Sequence, residues 1–156
     1  MIHEKIELFA QRPEVKLVTY VTEQHSEIQY HNRTAVLVLP GGGYSMTSQR
    51  EAEIIAKSFF AAGMNAFVLY YSVGATATEY RPLLDASKAV LTIRENAEKW
   101  DIDPQKIVVC GFSAGGHLAA SLGTLWHLDI LSDTLGCEKG ANRPNGMILC
   151  YPVISG

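Results

Sequence analysis

From Lys16 to Cys150 the chain alternates short segments that are apolar at consecutive positions with longer ones that are apolar at every third or fourth position. Val36-Leu37-Val38-Leu39 (within Ala35 to Leu39), Ala66 to Tyr71, Ile107-Val108-Val109-Cys110 and Met147 to Cys150 are the short segments. Apolar throughout and rich in β-branched residues, they predict strands covered on both faces. Gln49 to Ala62 places Ala52, Ile55, Phe59 and Ala62 on one helical face and closes on Gly63. Tyr80 to Lys99 does the same with Leu83, Ala86, Val90 and Ile93, and the stripe continues through Ala97 to Trp100. Ala114 to Leu125 is a third helix-compatible stretch. Lys16 to Thr22 and Glu27 to Tyr30 are of mixed polarity and predict a leading hairpin. Strands separated by amphipathic helices imply an α/β fold: a mostly parallel sheet with helices on both faces, in one domain over residues 1–156. No repeat, low-complexity segment or linker interrupts it.

The turn between the third short segment and the helix after it carries the chemistry. It reads Gly111-Phe112-Ser113-Ala114-Gly115-Gly116-His117. A strand–turn–helix setting makes a G-x-S-x-G match a nucleophile elbow, in which the serine stands clear at the C-terminal edge of a sheet. So tight a turn strains the serine backbone and leaves no room for side chains two residues to either side, which Gly111 and Gly115 satisfy. The N–H of Ala114 points into the same space. A second glycine run, Pro40-Gly41-Gly42-Gly43-Tyr44, follows Leu39 at once. Acyl transfer places negative charge on a carbonyl oxygen, and backbone N–H groups aimed at it are the usual stabilisers. Gly42 or Gly43, together with Ala114, are the candidate oxyanion donors beside the Ser113 nucleophile. Tyr44 either lines the acyl or alcohol side of the substrate or is an ordinary loop aromatic. A phosphate cradle is disfavoured: no Gly-Lys-Ser/Thr follows and no acidic residue is spaced for a ribose contact, so no cofactor is expected.

These residues resemble the α/β-hydrolase serine esterases, in particular the acetyl-xylan-esterase-like and lipase-like branch with a Gly-rich oxyanion loop. The resemblance rests on Pro40 to Tyr44, Arg50-Glu51, Gly63 to Tyr71, Asp101-Ile102-Asp103-Pro104, Gly111 to Ala119 and Tyr151 to Ser155. It runs from about Val36 to the last residue. Pro40 stands where related hormone-sensitive-lipase-like enzymes have histidine, a change that removes no backbone donor. The resemblance implies a carboxylic ester hydrolase acting on small acyl esters, with acetylated carbohydrate as the plausible substrate.

A serine hydroxyl needs a base to take its proton, usually a histidine held by a carboxylate, and in this fold the order is serine, acid, histidine. After Ser113 come the acids Asp129, Asp133 and Glu138 and the histidines His117 and His127, and no histidine follows any of the acids. The ring of His117, four residues after the nucleophile, projects beside the turn and reads as a packing and hydrogen-bonding residue behind the elbow. His127 with Asp129, and His3, His25 and His31 in the leading segment, read as surface residues. Asp85 on the long helix reads as a partner for a backbone group or an arginine. The expectation is therefore the N-terminal portion of a longer esterase, with acid and histidine beyond residue 156. The alternative is a non-catalytic hydrolase-fold piece that binds or assembles. Met147 to Cys150 would then be an exposed apolar edge, which invites a homodimer. Arg50 and Glu51 are placed to pair with each other and brace the glycine loop.

Composition narrows the remaining classes. At 156 residues and 47% hydrophobic, the chain can bury a real core. Its formal net charge of −3 and the lack of any basic run argue against nucleic acid and membrane as partners, and the resemblance implies a small-molecule ester instead. Met1 to Glu7 shows no apolar signal region and no segment approaches a membrane span, so a cytoplasmic location is expected. Three scattered cysteines, Cys110, Cys137 and Cys150, make neither a disulfide framework nor a metal site.

Overall fold

The continuous apolar runs are explained by a sheet with two buried faces. A computed structural model describes residues 1–28 and 30–155. Its strands are β1 (Lys5–Glu7), β2 (Lys16–Tyr20), β3 (Arg33–Leu39), β4 (Asn65–Tyr70), β5 (Ile102–Phe112) and β6 (Gly146–Cys150), in the spatial order β1-β2-β4-β3-β5-β6. β4, β3, β5 and β6 run parallel, while β1 and β2 are antiparallel to their neighbours. The helices are α1 (Glu53–Ala61), α2 (Arg81–Glu95), α3 (Ala114–Leu125) and α4 (Asp129–Leu135).

Alternate residues of each strand feed opposite cores, as a period of two requires. Leu37 and Leu39 of β3 join Phe67 and Leu69 of β4, under Val90 and Ile93 of α2 and Leu118 and Leu122 of α3. Val36, Val38, Ala66 and Val68 face the other way, onto Ala52 and Ala56 at α1. The stripe Leu83, Ala86, Val90, Ile93, Ala97 and Trp100 is buried throughout, with α2 itself ending at Glu95 and turns carrying the last two.

Four expectations need correction. The leading hairpin pairs β1 with β2, not Lys16 to Thr22 with Glu27 to Tyr30: Glu27 lies in a turn, Ile28 and Tyr30 are outside any strand, and Gln29 lies outside the described residues. The first helix begins as a separate 3₁₀ turn, Gln49–Glu51, and ends one residue early, so Ala62 is exposed and Ala56 takes the core position. β5 starts at Ile102 rather than Ile107, with an irregular register against β3 between its two halves. The helix α4, which buries only Leu131, was not foreseen.

Asp85 is buried and does what its position suggested. Its Oδ1 accepts from Arg12 Nη1 at 2.6 Å and its Oδ2 from the Ser72 N–H at 2.8 Å. This joins the leading segment, the end of β4 and helix α2 at one point. Removing one partner of a buried ion pair strands the other. Asp85→Ala is expected to lower unfolding stability by about 3 kcal/mol in urea titration.

β6 is the outer strand on its side, and Met147, Ile148 and Leu149 are 43%, 40% and 38% exposed. An edge of this kind offers a template for pairing with another chain. Sedimentation at micromolar concentration is expected to show dimers that Ile148→Lys converts to monomers; a monomeric parent chain would refute the pairing.

Candidate active site

β5 carries Gly111 and Phe112 to the C-terminal edge of the sheet, and Ser113 turns the chain into α3 with φ 51° and ψ −116°. That is a region L-residues avoid, at a cost of about 1–3 kcal/mol, so the surroundings must hold it. The Ser113 N–H donates to the Cys150 carbonyl at 3.0 Å, and the Ser113 carbonyl accepts from the N–H of His117 at 3.0 Å and of Val153 at 3.2 Å. The glycines are there for space. A Cβ on Gly111 would strike the Gly115 carbonyl, and one on Gly115 would strike the carbonyls of Leu39 and Pro40. Gly116, which sequence reasoning left unexplained, lies where a Cβ would come within 2.9 Å of the Pro152 side chain.

The glycine loop after β3 is pinned group by group. The Tyr71 hydroxyl, at the end of β4, donates to the Pro40 carbonyl, and burial pushes its pKa above the ordinary phenol range. The Gly41 N–H donates to Glu51 Oε2 at 2.8 Å, and the Gly41 carbonyl accepts from the Ser48 N–H at 2.8 Å. The Gly42 carbonyl accepts from the N–H of Ser45 at 3.0 Å. Gly42, Gly43 and Tyr44 all have positive φ, at 138°, 62° and 58°. Among the described residues, the N–H groups of Gly42, Gly43 and Ala114 donate to no protein acceptor. The loop abuts the elbow: a Cβ on Gly41 would lie 3.1 Å from Ser113 Cβ. Three unengaged amides beside a hydroxyl on a strained turn are the parts an oxyanion site requires.

Glu51 braces this loop as expected, but not with Arg50, which is exposed and forms no ion pair with it among the described residues. Its second oxygen instead accepts from the Tyr151 hydroxyl at 2.6 Å, a bond that raises the pKa of that tyrosine. Tyr71 and Tyr151 were missed; the only sequence signal for Tyr71 was an aromatic at the end of a buried strand run.

His117 is committed elsewhere than the nucleophile: its Nδ1 lies 2.8 Å from the Tyr44 hydroxyl. The two rings meet edge-on at 5.7 Å, and burial pushes Tyr44 up to about 12. Together they wall a cavity of about 330 Å³ that Tyr80, Leu83, Leu118 and Leu125 help line. His127 and Asp129 are exposed, with Asp129 paired to Lys139 at 2.7 Å. His3, His25 and His31 are exposed as well, and His31 pairs with Asp101. Cys110 is buried, which pushes its thiol up to about 12 and leaves it unreactive. Among the described residues no group of three or more His, Cys, Asp or Glu converges to hold a metal, and no helix is long and apolar enough to cross a membrane.

The BD-FAE protein family matches the chain over residues 21–145, most of its length. The chain belongs to the BD-FAE family. Two curated relatives agree with that placement. Endo-1,4-beta-xylanase B of Butyrivibrio fibrisolvens is 45% identical over 127 residues, which is 79% of this chain and 20% of that protein. Acetylxylan esterase of Xylanibacter ruminicola is 33% identical over 122 residues, 78% of this chain and 23% of that protein. Among solved structures, MGS-M1, an alpha/beta hydrolase enzyme from a Medee basin deep-sea metagenome library, superposes with a TM-score of 0.86 at 43% identity. That match covers 99% of this chain and 58% of MGS-M1, so the chain spans about a fifth of its curated relatives and little more than half of this structural one. The BD-FAE chain thus has the α/β-hydrolase sheet that its residues implied, as a partial stretch of the fold.

The close approach at Gly115 is the steric condition for this site, because the atoms it meets are backbone of the strand that feeds the loop. Gly115→Ala is expected to cost more than about 2 kcal/mol in denaturant unfolding, as overpacking against immovable atoms does.

Proposed function

We propose that this chain carries the nucleophile and oxyanion part of a serine carboxylic ester hydrolase. The observation that supports it most is Ser113 on a strained turn against a glycine loop, with the N–H groups of Ala114, Gly42 and Gly43 unengaged. In this reading the Ser113 Oγ attacks the acyl carbon, and the Ala114 N–H with that of Gly42 or Gly43 receives the oxyanion. The tetrahedral intermediate collapses to an acyl-serine as the alcohol leaves, and water then releases the acid. His117 is held by Tyr44 and Asp85 by Arg12, so the base and its orienting acid come from outside the described residues. Small acyl esters, with acetyl groups on a carbohydrate foremost, suit this reading, which follows the acetylxylan esterase relative. Tyr44 faces the substrate side, as its place in the wall of the adjoining cavity suggests. Three unpaired cysteines favour action in a reducing, cytoplasmic setting.

The commitment of His117 to Tyr44 also favours a second reading, a hydrolase-fold unit that binds or assembles without turning over substrate. Hydrolysis of p-nitrophenyl acetate by the chain beside its Ser113→Ala variant tests the first. A rate that the substitution lowers about 100-fold or more supports the esterase. Equal rates mean an elbow without its base and acid in these residues, and the same pair of measurements on a longer version of the protein then decides between the readings.

A further inference from the structure

We propose that Tyr44 and His117 form a positioning pair that sets the separation between the glycine loop and the nucleophile helix. Its mechanical part stands on geometry, and only its consequence for rate rests on the esterase reading. Tyr44 closes the glycine run at φ 58°, a conformation that a bulky side chain adopts only where its surroundings impose it. Three contacts impose it here. The Tyr44 carbonyl accepts from the Gly74 N–H at 2.6 Å, its ring packs edge-on against Tyr71 at 6.0 Å, and its hydroxyl meets His117 Nδ1 at 2.8 Å.

The first two contacts tie Tyr44 to the end of β4 and the connection beyond it. The third runs to α3. His117 lies one turn past Ser113, and its own N–H donates to the Ser113 carbonyl. The route from loop to nucleophile is therefore Tyr44 hydroxyl, His117 ring, His117 backbone, Ser113. On its far side the pair borders the cavity rather than packed side chains, so this hydrogen bond is not backed up by packing there. The candidate oxyanion donors sit on both ends of this route, Gly42 and Gly43 on the loop and Ala114 on the helix. Donors act on an oxyanion only within a narrow range of about 2.7–3.1 Å. A loop that drifts from the helix loses one donor while the other stays in place.

Amide hydrogen exchange of the 156-residue chain, resolved residue by residue, tests the pair without requiring turnover. The amides of Ser45, Ser48 and Gly74 report the loop, because all three are hydrogen-bonded to it. Tyr44→Phe and His117→Phe should each raise their exchange about fivefold, the factor expected for one lost hydrogen bond. The double variant should exceed neither single variant, since both remove the same bond. His117→Asn, whose side-chain amide can donate to or accept from the Tyr44 hydroxyl, should remain near the parent value and guards against a misfolded Phe variant. Unchanged exchange in the single variants, or effects that add in the double, would overturn the pair. Where the parent chain shows Ser113-dependent hydrolysis, Tyr44→Phe should lower kcat about tenfold and leave KM within about twofold, the pattern of a lost transition-state interaction. Raised exchange with unchanged kcat would overturn the positioning role. A parent without Ser113-dependent hydrolysis means that these residues alone lack a working base and bears on the rate consequence only, while the exchange data still decide the pair.

Discussion

The close approach of helix α3 to strand β3 is the constraint on which the rest of the site depends. Gly115 lies under the carbonyls of Leu39 and Pro40 so tightly that no side chain fits, and Gly111 lies as close to Gly115. Only that contact allows the chain to reverse at Ser113 with a positive φ and still start a helix at once. It also brings two backbone segments from different strands to one place: the loop that leaves β3 and the turn that leaves β5. A Cβ on Gly115 would force the elbow away from the start of the loop, and one on Gly111 would disrupt the turn itself. The sheet supplies the rest, since β3 and β5 are parallel neighbours and so end at the same edge.

What could be read from residue order alone was whatever depends on local pattern. Val36 to Leu39 reads as a doubly buried strand because consecutive residues feed opposite cores, and the stripe from Leu83 to Trp100 reads as core because its spacing is helical. The elbow was legible because Gly111 is crowded by its own turn at Gly115, whereas the carbonyls of Leu39 and Pro40 that crowd Gly115 lie far off in the chain. What was not legible depends on partners distant in the chain. β1 has one apolar residue in three positions and is a strand only because β2 offers it hydrogen bonds. α4 has too short a pattern to stand out, with Ile130 exposed beside buried Leu131. Arg12 and Asp85 are 73 residues apart, and so are Tyr44 and His117. Neither bond has a spacing to betray it. For the same reason Glu51 was rightly placed as a brace while its partner was wrong: the neighbour in sequence was Arg50, but the neighbours in space are Gly41 and Tyr151.

The polar groups around the glycine loop share one logic. A loop with three consecutive positive φ values gives up most of the local preference that would keep it in place, so its position must come from outside. Tyr71, Glu51 and the Gly74 amide each fix one backbone group of the loop and leave the Gly42 and Gly43 amides unengaged. Burial raises the pKa of Tyr71 and of Tyr44 and so keeps both as neutral hydroxyls across the range where proteins work. The Gly41 N–H and the Tyr151 hydroxyl both donate to Glu51.

The elbow is anchored unequally on its two sides. Toward β3 it rests on close packing against a central strand, and central strands are held by neighbours on both edges. Toward β6 it rests on hydrogen bonds, from the Ser113 N–H to the Cys150 carbonyl and from the Val153 N–H to the Ser113 carbonyl. β6 is paired on one side only, with its apolar residues substantially exposed. A strained residue persists only as long as its surroundings over-determine it. The conformation of Ser113 is thus linked to an edge strand of the sheet, and Tyr151, through Glu51, extends that link to the glycine loop. The pairing of β6 with β5 is therefore a condition for the geometry of the site rather than a separate matter of stability.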